Sequence, residues 1–209
     1  MTTEQTAPAG FFVTGTDTGV GKSVASTWLL HHFGGQYWKP VQAGAGSGEE
    51  TDTAFVHRLS GLSEERFYPS AYTLALPRSP HEAARKEGVV IRLERLQLPV
   101  ARRPWVVEGA GGILVPLNGT DLMLDLMTQL GLPVILVART TLGTINHTLL
   151  SLACLRQRGL TIAGVILNGV PDAENRQAIS HYGQVTILAD IPLLQPLDRE
   201  ALLRVPGNA

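Results

Sequence analysis

The chain has 209 residues, 44% apolar and 17% charged, which is enough for one domain or two small ones and too apolar for a disordered chain. Its formal net charge is −1, no Lys/Arg run builds a basic patch and aromatics are only 6%, which argues against a nucleic-acid-binding surface. Cys154 is the only cysteine, so no intrachain disulfide can form; no apolar run approaches the ~18 residues of a membrane span.

The opening residues 1–9 are polar and lack the basic-then-apolar form of a signal peptide. They read as a frayed tail before one domain over 10–209, in a cytoplasmic protein with no membrane and no nucleic-acid partner. "FFVTG" (11–15) reads as a strand and "KSVASTWLLHHF" (22–33) as a helix, with His31 and His32 late in it, facing solvent or its negative end. "QYWKPV" (36–41) reads as a second strand, stopped by Pro40. "TDTAFVHRLSG" (51–61) is helical. A Pro-containing connection follows, to Pro80, and 79–88 is a helix with Pro80 in its first turn and Gly88 at its stop. "WVVEG" (105–109) is a strand, 121–131 a helix, and "LPVILVA" (132–138) an unbroken apolar run of the kind covered on both faces. Residues 145–158 read as helix, 160–169 as strand, 173–183 as helix and 185–192 as the last strand, with a short helix at "REALLR". Such alternation predicts an α/β fold: a mainly parallel sheet with helices on both faces, a three-layer sandwich.

"GTDTGVGKS" (15–23) lies between the first strand and the first helix. The usual phosphate loop is G-x-x-x-x-G-K-[ST], with four residues between its glycines; here five separate Gly15 from Gly21. A helix N-terminus presents free N–H groups and partial positive charge, so it holds phosphate. Gly19, Val20 and Gly21 would bring the backbone to the phosphates, Lys22 would reach the β- and γ-phosphates, and the Ser23 hydroxyl would ligate Mg²⁺.

Four further positions fall where open α/β sheets bind ligands, at or near strand ends and in the loops that follow. Lys39 is either a solvated strand-end lysine or an ammonium over the loop. Asp52 is either a helix N-cap or an acid at the ligand-binding rim. Glu108, before glycines that would leave its carboxylate open, reads as a metal ligand against the alternative of a surface acid. Asn168 is either half of an Asn-Gly turn or a reader of adenine.

In their order and spacing, "FFVTGTDTGVGKS", "KPVQAG", the "TD" before a helix, "SPHEAA", "VVEGAGG", "LPVILVARTTLGTINHTLLSL" and "GVILNG" resemble dethiobiotin synthetases, from about residue 10 to 192. That family carries the longer loop G-T-D-T-x-V-G-K-[ST]. The resemblance implies a P-loop NTPase-like fold and ATP-dependent ring closure of 7,8-diaminopelargonate and CO₂ to dethiobiotin, through a carbamate and its mixed anhydride with phosphate. It implies that Lys22, Lys39 and Thr18 border the transferred phosphate, that Ser23, Asp52 and Glu108 hold Mg²⁺, and that Asn168 reads adenine. It implies that Gly143, Thr144 and Asn146 hold the substrate carboxylate from the neighbouring subunit of a homodimer, with Lys39 also at the substrate.

Ala43 departs from the family's usual Ser or Thr, and Tyr182 is a candidate for a tyrosine that approaches substrate across the dimer. Three other readings share the fold. A partitioning-type ATPase switch normally has a lysine where Asp17 stands. A nucleotide-sensing domain would have lost Lys39 or the acids. An amide-forming synthetase would need a glutamine-hydrolysing domain.

Overall fold

The computed structural model describes residues 10–100 and 103–208. The expected tail, residues 1–9, lies outside them. In chain order the elements are β1 (Gly10–Gly15), α1 (Lys22–Phe33), β2 (Gln36–Trp38), β3 (Val41–Gln42), α2 (Asp52–Ser60), β4 (Phe67–Tyr68), β5 (Tyr72–Thr73) and α3 (Pro80–Lys86). There follow β6 (Trp105–Gly112), α4 (Met123–Leu130), β7 (Val134–Arg139), α5 (Thr144–Gln157), β8 (Ile162–Asn168), α6 (Ala173–Gly183), β9 (Ile187–Ile191) and α7 (Arg199–Leu203).

Seven strands form one sheet in the order β4-β2-β6-β1-β7-β8-β9, with every pairing parallel. Alternation along each strand sends side chains to both faces. Phe12, Val107 and Leu136 enter a core shared with Ala83, Met123, Leu126, Leu152 and Ile179 of α3 to α6. Val13, Val106, Ile135 and Val137 enter a second core with Ala25, Leu29, Val56 and Leu202 of α1, α2 and α7. The apolar run in β7 is unbroken because both of its faces are covered. The result is the three-layer α/β arrangement that the alternation predicts.

The strand read over 36–41 is two strands in two sheets. β2 ends at Trp38, Lys39 and Pro40 leave the sheet, and β3 pairs in parallel with β5. Proline has no N–H to give a ladder. The Pro40 carbonyl instead accepts from the Ala71 and Tyr72 N–H groups at 2.9 and 3.1 Å. β4 lies just before the connection read from Pro69 to Pro80 and β5 within it, each two residues long and so without any readable periodicity. β6 runs three residues past the expected end, to Gly112, with a register shift against β1 between Val13 and Gly15. β1 lies between β6 and β7, and the loop that follows it opens at the C-terminal rim of the sheet, where such folds bind ligands.

Candidate active site

The loop from Thr16 to Gly21 joins β1 to α1. Gly21 is the α1 N-cap, at φ 94° and with no side-chain cap, so the first N–H groups of the helix are left for a ligand. Gly19 is also left-handed, at φ 73°. A Cβ on Gly21 would lie 2.2 Å from Asn168 Nδ2. That amide donates to the Val20 carbonyl at 3.1 Å, so Asn168 supports the loop from the end of β8. The Val20 side chain is buried in the core, which leaves only its backbone for a ligand.

Asp17 ties the longer loop together. Its carboxylate accepts the Thr18 N–H at 2.7 Å and pairs with Arg139 at the end of β7. The first contact is the main reason its carboxyl lies below the usual range. The Asp17 carbonyl accepts from Lys22 Nζ at 3.1 Å.

Beside the loop lies a buried charge cluster. Lys39 Nζ sits 2.9 Å from Asp52 Oδ2 and 3.0 Å from Glu108 Oε1, and donates also to the Gly109 carbonyl. Ser23 Oγ lies 2.9 Å from Asp52 Oδ1 and 3.0 Å from Glu108 Oε1; its one hydrogen can serve only one of them at a time. Ser26 and Tyr37 hydroxyls donate to the other Glu108 oxygen, at 2.8 and 3.1 Å.

The helix cap at α2 is Thr51, whose side chain accepts the Ala54 N–H, so the capping alternative for Asp52 is set aside. Lys39 is only 3% exposed, which sets aside the solvated alternative, and Glu108 is 1% exposed and so not a surface acid. Burial alone would lower the Lys39 ammonium, but Glu108 and Asp52 outweigh it and hold it above the usual lysine value. Burial would raise the Asp52 carboxyl, but Lys39 keeps it low. The Lys22 ammonium is lowered, first by burial and then by Lys39. Burial and Glu108 push the Tyr37 phenol well up, so it stays a donor.

A cavity of about 690 Å³ opens at this cluster. Of the residues singled out in the sequence, Thr18, Gly19, Gly21, Lys22, Ser23, Lys39, Ala43 and Asp52 line it, with Glu108 bonded directly behind. Gly143, Thr144 and Asn146 do not line it. Gly143 caps α5 at φ 90°, the Thr144 hydroxyl donates to the Arg139 carbonyl, and Asn146 is exposed. Tyr182, at the end of α6, is also outside and is 70% exposed.

Sequence reasoning missed Ser26, Tyr37, Arg78 and Arg139. Ser26 lies one helical step from Ser23 and Tyr37 two residues before Lys39, so periodicity could have found both. No local signal marks the two arginines.

A family model described as an AAA domain matches residues 9–201. An ATP-dependent dethiobiotin synthetase BioD from Paramagnetospirillum magneticum is 52% identical over 198 residues, covering 95% of this chain and 93% of that protein. One of the same name from Nitrobacter hamburgensis is 50% identical, covering 91% and 89%. This chain belongs to the dethiobiotin synthetase family.

A further relative, a biotin biosynthesis bifunctional protein BioCD from Bordetella avium, is 49% identical over 195 residues, covering 93% of this chain and 42% of that protein. Two solved structures are similar in fold. A ParA family ATPase from Chlorobium tepidum has a TM-score of 0.55 at 13% identity, covering 93% of this chain and 89% of that one. The cell division ATPase MinD from Pyrococcus furiosus has 0.51 at 18%, covering 93% and 87%. At such identities they show the P-loop fold alone, and the dethiobiotin synthetase relatives carry the family.

Proposed function

We propose that this chain is an ATP-dependent ligase that closes the ureido ring of dethiobiotin from 7,8-diaminopelargonate, CO₂ and ATP, in biotin synthesis. The observation that carries the reading is the convergence of Lys22, Lys39, Ser23, Asp52 and Glu108 at one cavity beside an uncapped helix start, in a chain about half identical to synthetases of that name.

In the first step an amine nitrogen bonds to CO₂ and loses a proton, giving a carbamate. A carbamate oxygen then takes the γ-phosphoryl group as the bond to ADP breaks. The second amine attacks the carbamoyl carbon, the C–O bond to phosphate breaks, and phosphate and the amine proton leave. Such a phosphoryl transfer needs positioning and charge stabilisation more than covalent help. Lys39 suits that task as a fixed donor, because its acids keep it protonated. Lys22 would exchange the Asp17 carbonyl for the γ-phosphate, an anion that would favour its charged form. Thr18 would border the same phosphate, the N–H groups of Gly19 to Ser23 would hold the chain of phosphates, and Asn168, which braces the loop, would read adenine.

Ser23, Asp52 and Glu108 would hold Mg²⁺. Their fit is chemical: the Asp52 and Glu108 carboxylates each lie within 3.0 Å of the Ser23 hydroxyl, and hard oxygen donors suit this ion. Among the described residues no group of three or more His, Cys, Asp or Glu is arranged for a metal, so two carboxylates and the hydroxyl would need substrate oxygens to complete the set. When bound, the ion would neutralise charge on the β- and γ-phosphates. Gly143, Thr144 and Asn146, which do not line this cavity, fit the reading as residues given to a neighbouring subunit's substrate in a homodimer. Among the described residues no helix is long and apolar enough to cross a membrane. A cytoplasmic location belongs to the same reading.

The test is phosphate release from Mg·ATP with and without the diamine and bicarbonate. Release that needs both, with dethiobiotin as product, supports the reading. Release indifferent to the diamine, or binding of ATP without release, overturns it.

A further inference from the structure

The cavity has a wall that the loop does not build. β3 and β5 bring residues 43–46 beside residues 74–76: the N–H groups of Gly44, Ala45 and Gly46 donate to the Leu76, Leu74 and Ala75 carbonyls, each at 3.0 Å. Glu87, just past α3, fixes the same turn by accepting the Leu76 and Ala75 N–H groups at 3.0 and 3.2 Å. Arg78 follows on this braced turn, and with Ala43 it lines the cavity.

Its guanidinium is uncommitted. Among the described residues the Arg78 side chain has no ion pair and no hydrogen bond, whereas Glu50, an acid that also lines the cavity, is already held bidentately by Arg58 at 2.9 and 2.7 Å. The Ala43 side chain offers this wall no hydrogen bond. The phosphate end of the cavity has its own donors in the α1 N-terminus, Lys22 and Ser23. Arg78 therefore supplies a planar fork of N–H donors, suited to a carboxylate-like anion, on a wall distinct from the phosphate loop.

We propose that Arg78 is a specificity-determining residue that binds the carbamate of the carboxylated diamine. The assignment rests on the ligase reading above.

The experiment uses the full chain and its Arg78→Ala and Arg78→Lys variants, mixed with 7,8-diaminopelargonate and ¹³C-bicarbonate without ATP. The bound carbamate is counted by ¹³C NMR, and ADP affinity is measured by calorimetry. Arg78→Ala should lower carbamate occupancy about tenfold, the scale of a lost charge-assisted hydrogen bond, with ADP affinity within about twofold of the parent. Arg78→Lys should restore only part, because an ammonium lacks the fork. Unchanged carbamate occupancy overturns the assignment. So does a parallel fall in ADP affinity, which would place Arg78 on the nucleotide. A parent chain that makes dethiobiotin while Arg78→Ala matches it in carbamate binding refutes Arg78 alone. A parent chain that forms neither carbamate nor dethiobiotin refutes the ligase reading and Arg78 with it.

Discussion

Glu108 is a buried carboxylate whose oxygens meet Ser23, Ser26, Tyr37 and Lys39, and this explains why two nearby lysines will respond differently to removal. Lys39→Ala leaves Glu108 and Asp52 without their ammonium, and breaking a buried pair costs roughly 3–5 kcal/mol. Turnover and thermal stability should fall together. Lys22 makes only one side-chain hydrogen bond among the described residues, to the Asp17 carbonyl. Lys22→Ala should therefore abolish phosphate release with a melting temperature close to the parent's; near-normal release by either variant would refute the placement of that lysine. At this scale the sequence marks groups whose position is set locally. Lys22 and Ser23 follow a glycine-rich turn, Lys39 and Asn168 sit at strand ends, and Glu108 precedes glycines within β6. It does not mark Arg78 or Arg139, because the chain that places them beside the cavity and beside Asp17 is brought there by pairings distant in sequence.

At the scale of single elements, α1 joins the loop to the second core and is constrained at both ends. At its start, Gly21 has a positive φ and Asn168 packed where a Cβ would go. Gly21→Ala should displace Asn168 and the loop together and reduce ATP affinity at least tenfold in calorimetry. Gly19→Ala meets no atom within 4 Å, so only its positive φ opposes it, at roughly 1–2 kcal/mol. At the other end, of the two readings for His31, solvent or the negative helix end, the first does not hold. It is half-buried, and burial first, then Arg199 and His32, hold its imidazole below the usual value. His32 does remain exposed, stacked on Trp28. Because His31 is lowered in the folded state, the unfolded chain takes up its proton first, and stability should fall as pH drops below about 6.5. Urea melts across that range should show a flatter pH dependence for His31→Gln; an identical slope would refute the burial argument. The helices at 22–33 and 173–183 are legible to the residue, since the first begins at a G-K-S and the second ends at a glycine. The break at 38–41 is not, because its apolar residues are shared between two sheets and only Pro40 hints at the division.

For the whole molecule, the homodimer proposed above would place exposed residues in a common context. Leu142 is fully exposed just before Gly143, the N-cap of α5, and Leu150 is 62% exposed on that helix. Sedimentation should give a dimer, and Leu142→Glu with Leu150→Glu should shift it to monomer and raise KM for the diamine more than for ATP. A monomeric parent with full activity would refute the shared site. The sheet itself was the most legible feature of all, because alternating apolar runs and amphipathic segments leave few other layouts. Its uniform direction has a practical corollary. Every strand of the seven-stranded sheet starts at one end of the molecule, while the phosphate loop, Lys39, Glu108 and Asn168 gather toward the other. A solid support or a second enzyme fastened near Gly10, where β1 starts, would meet the end that does no chemistry. Substrates would still reach the rim freely, so anchoring there should leave phosphate release undiminished.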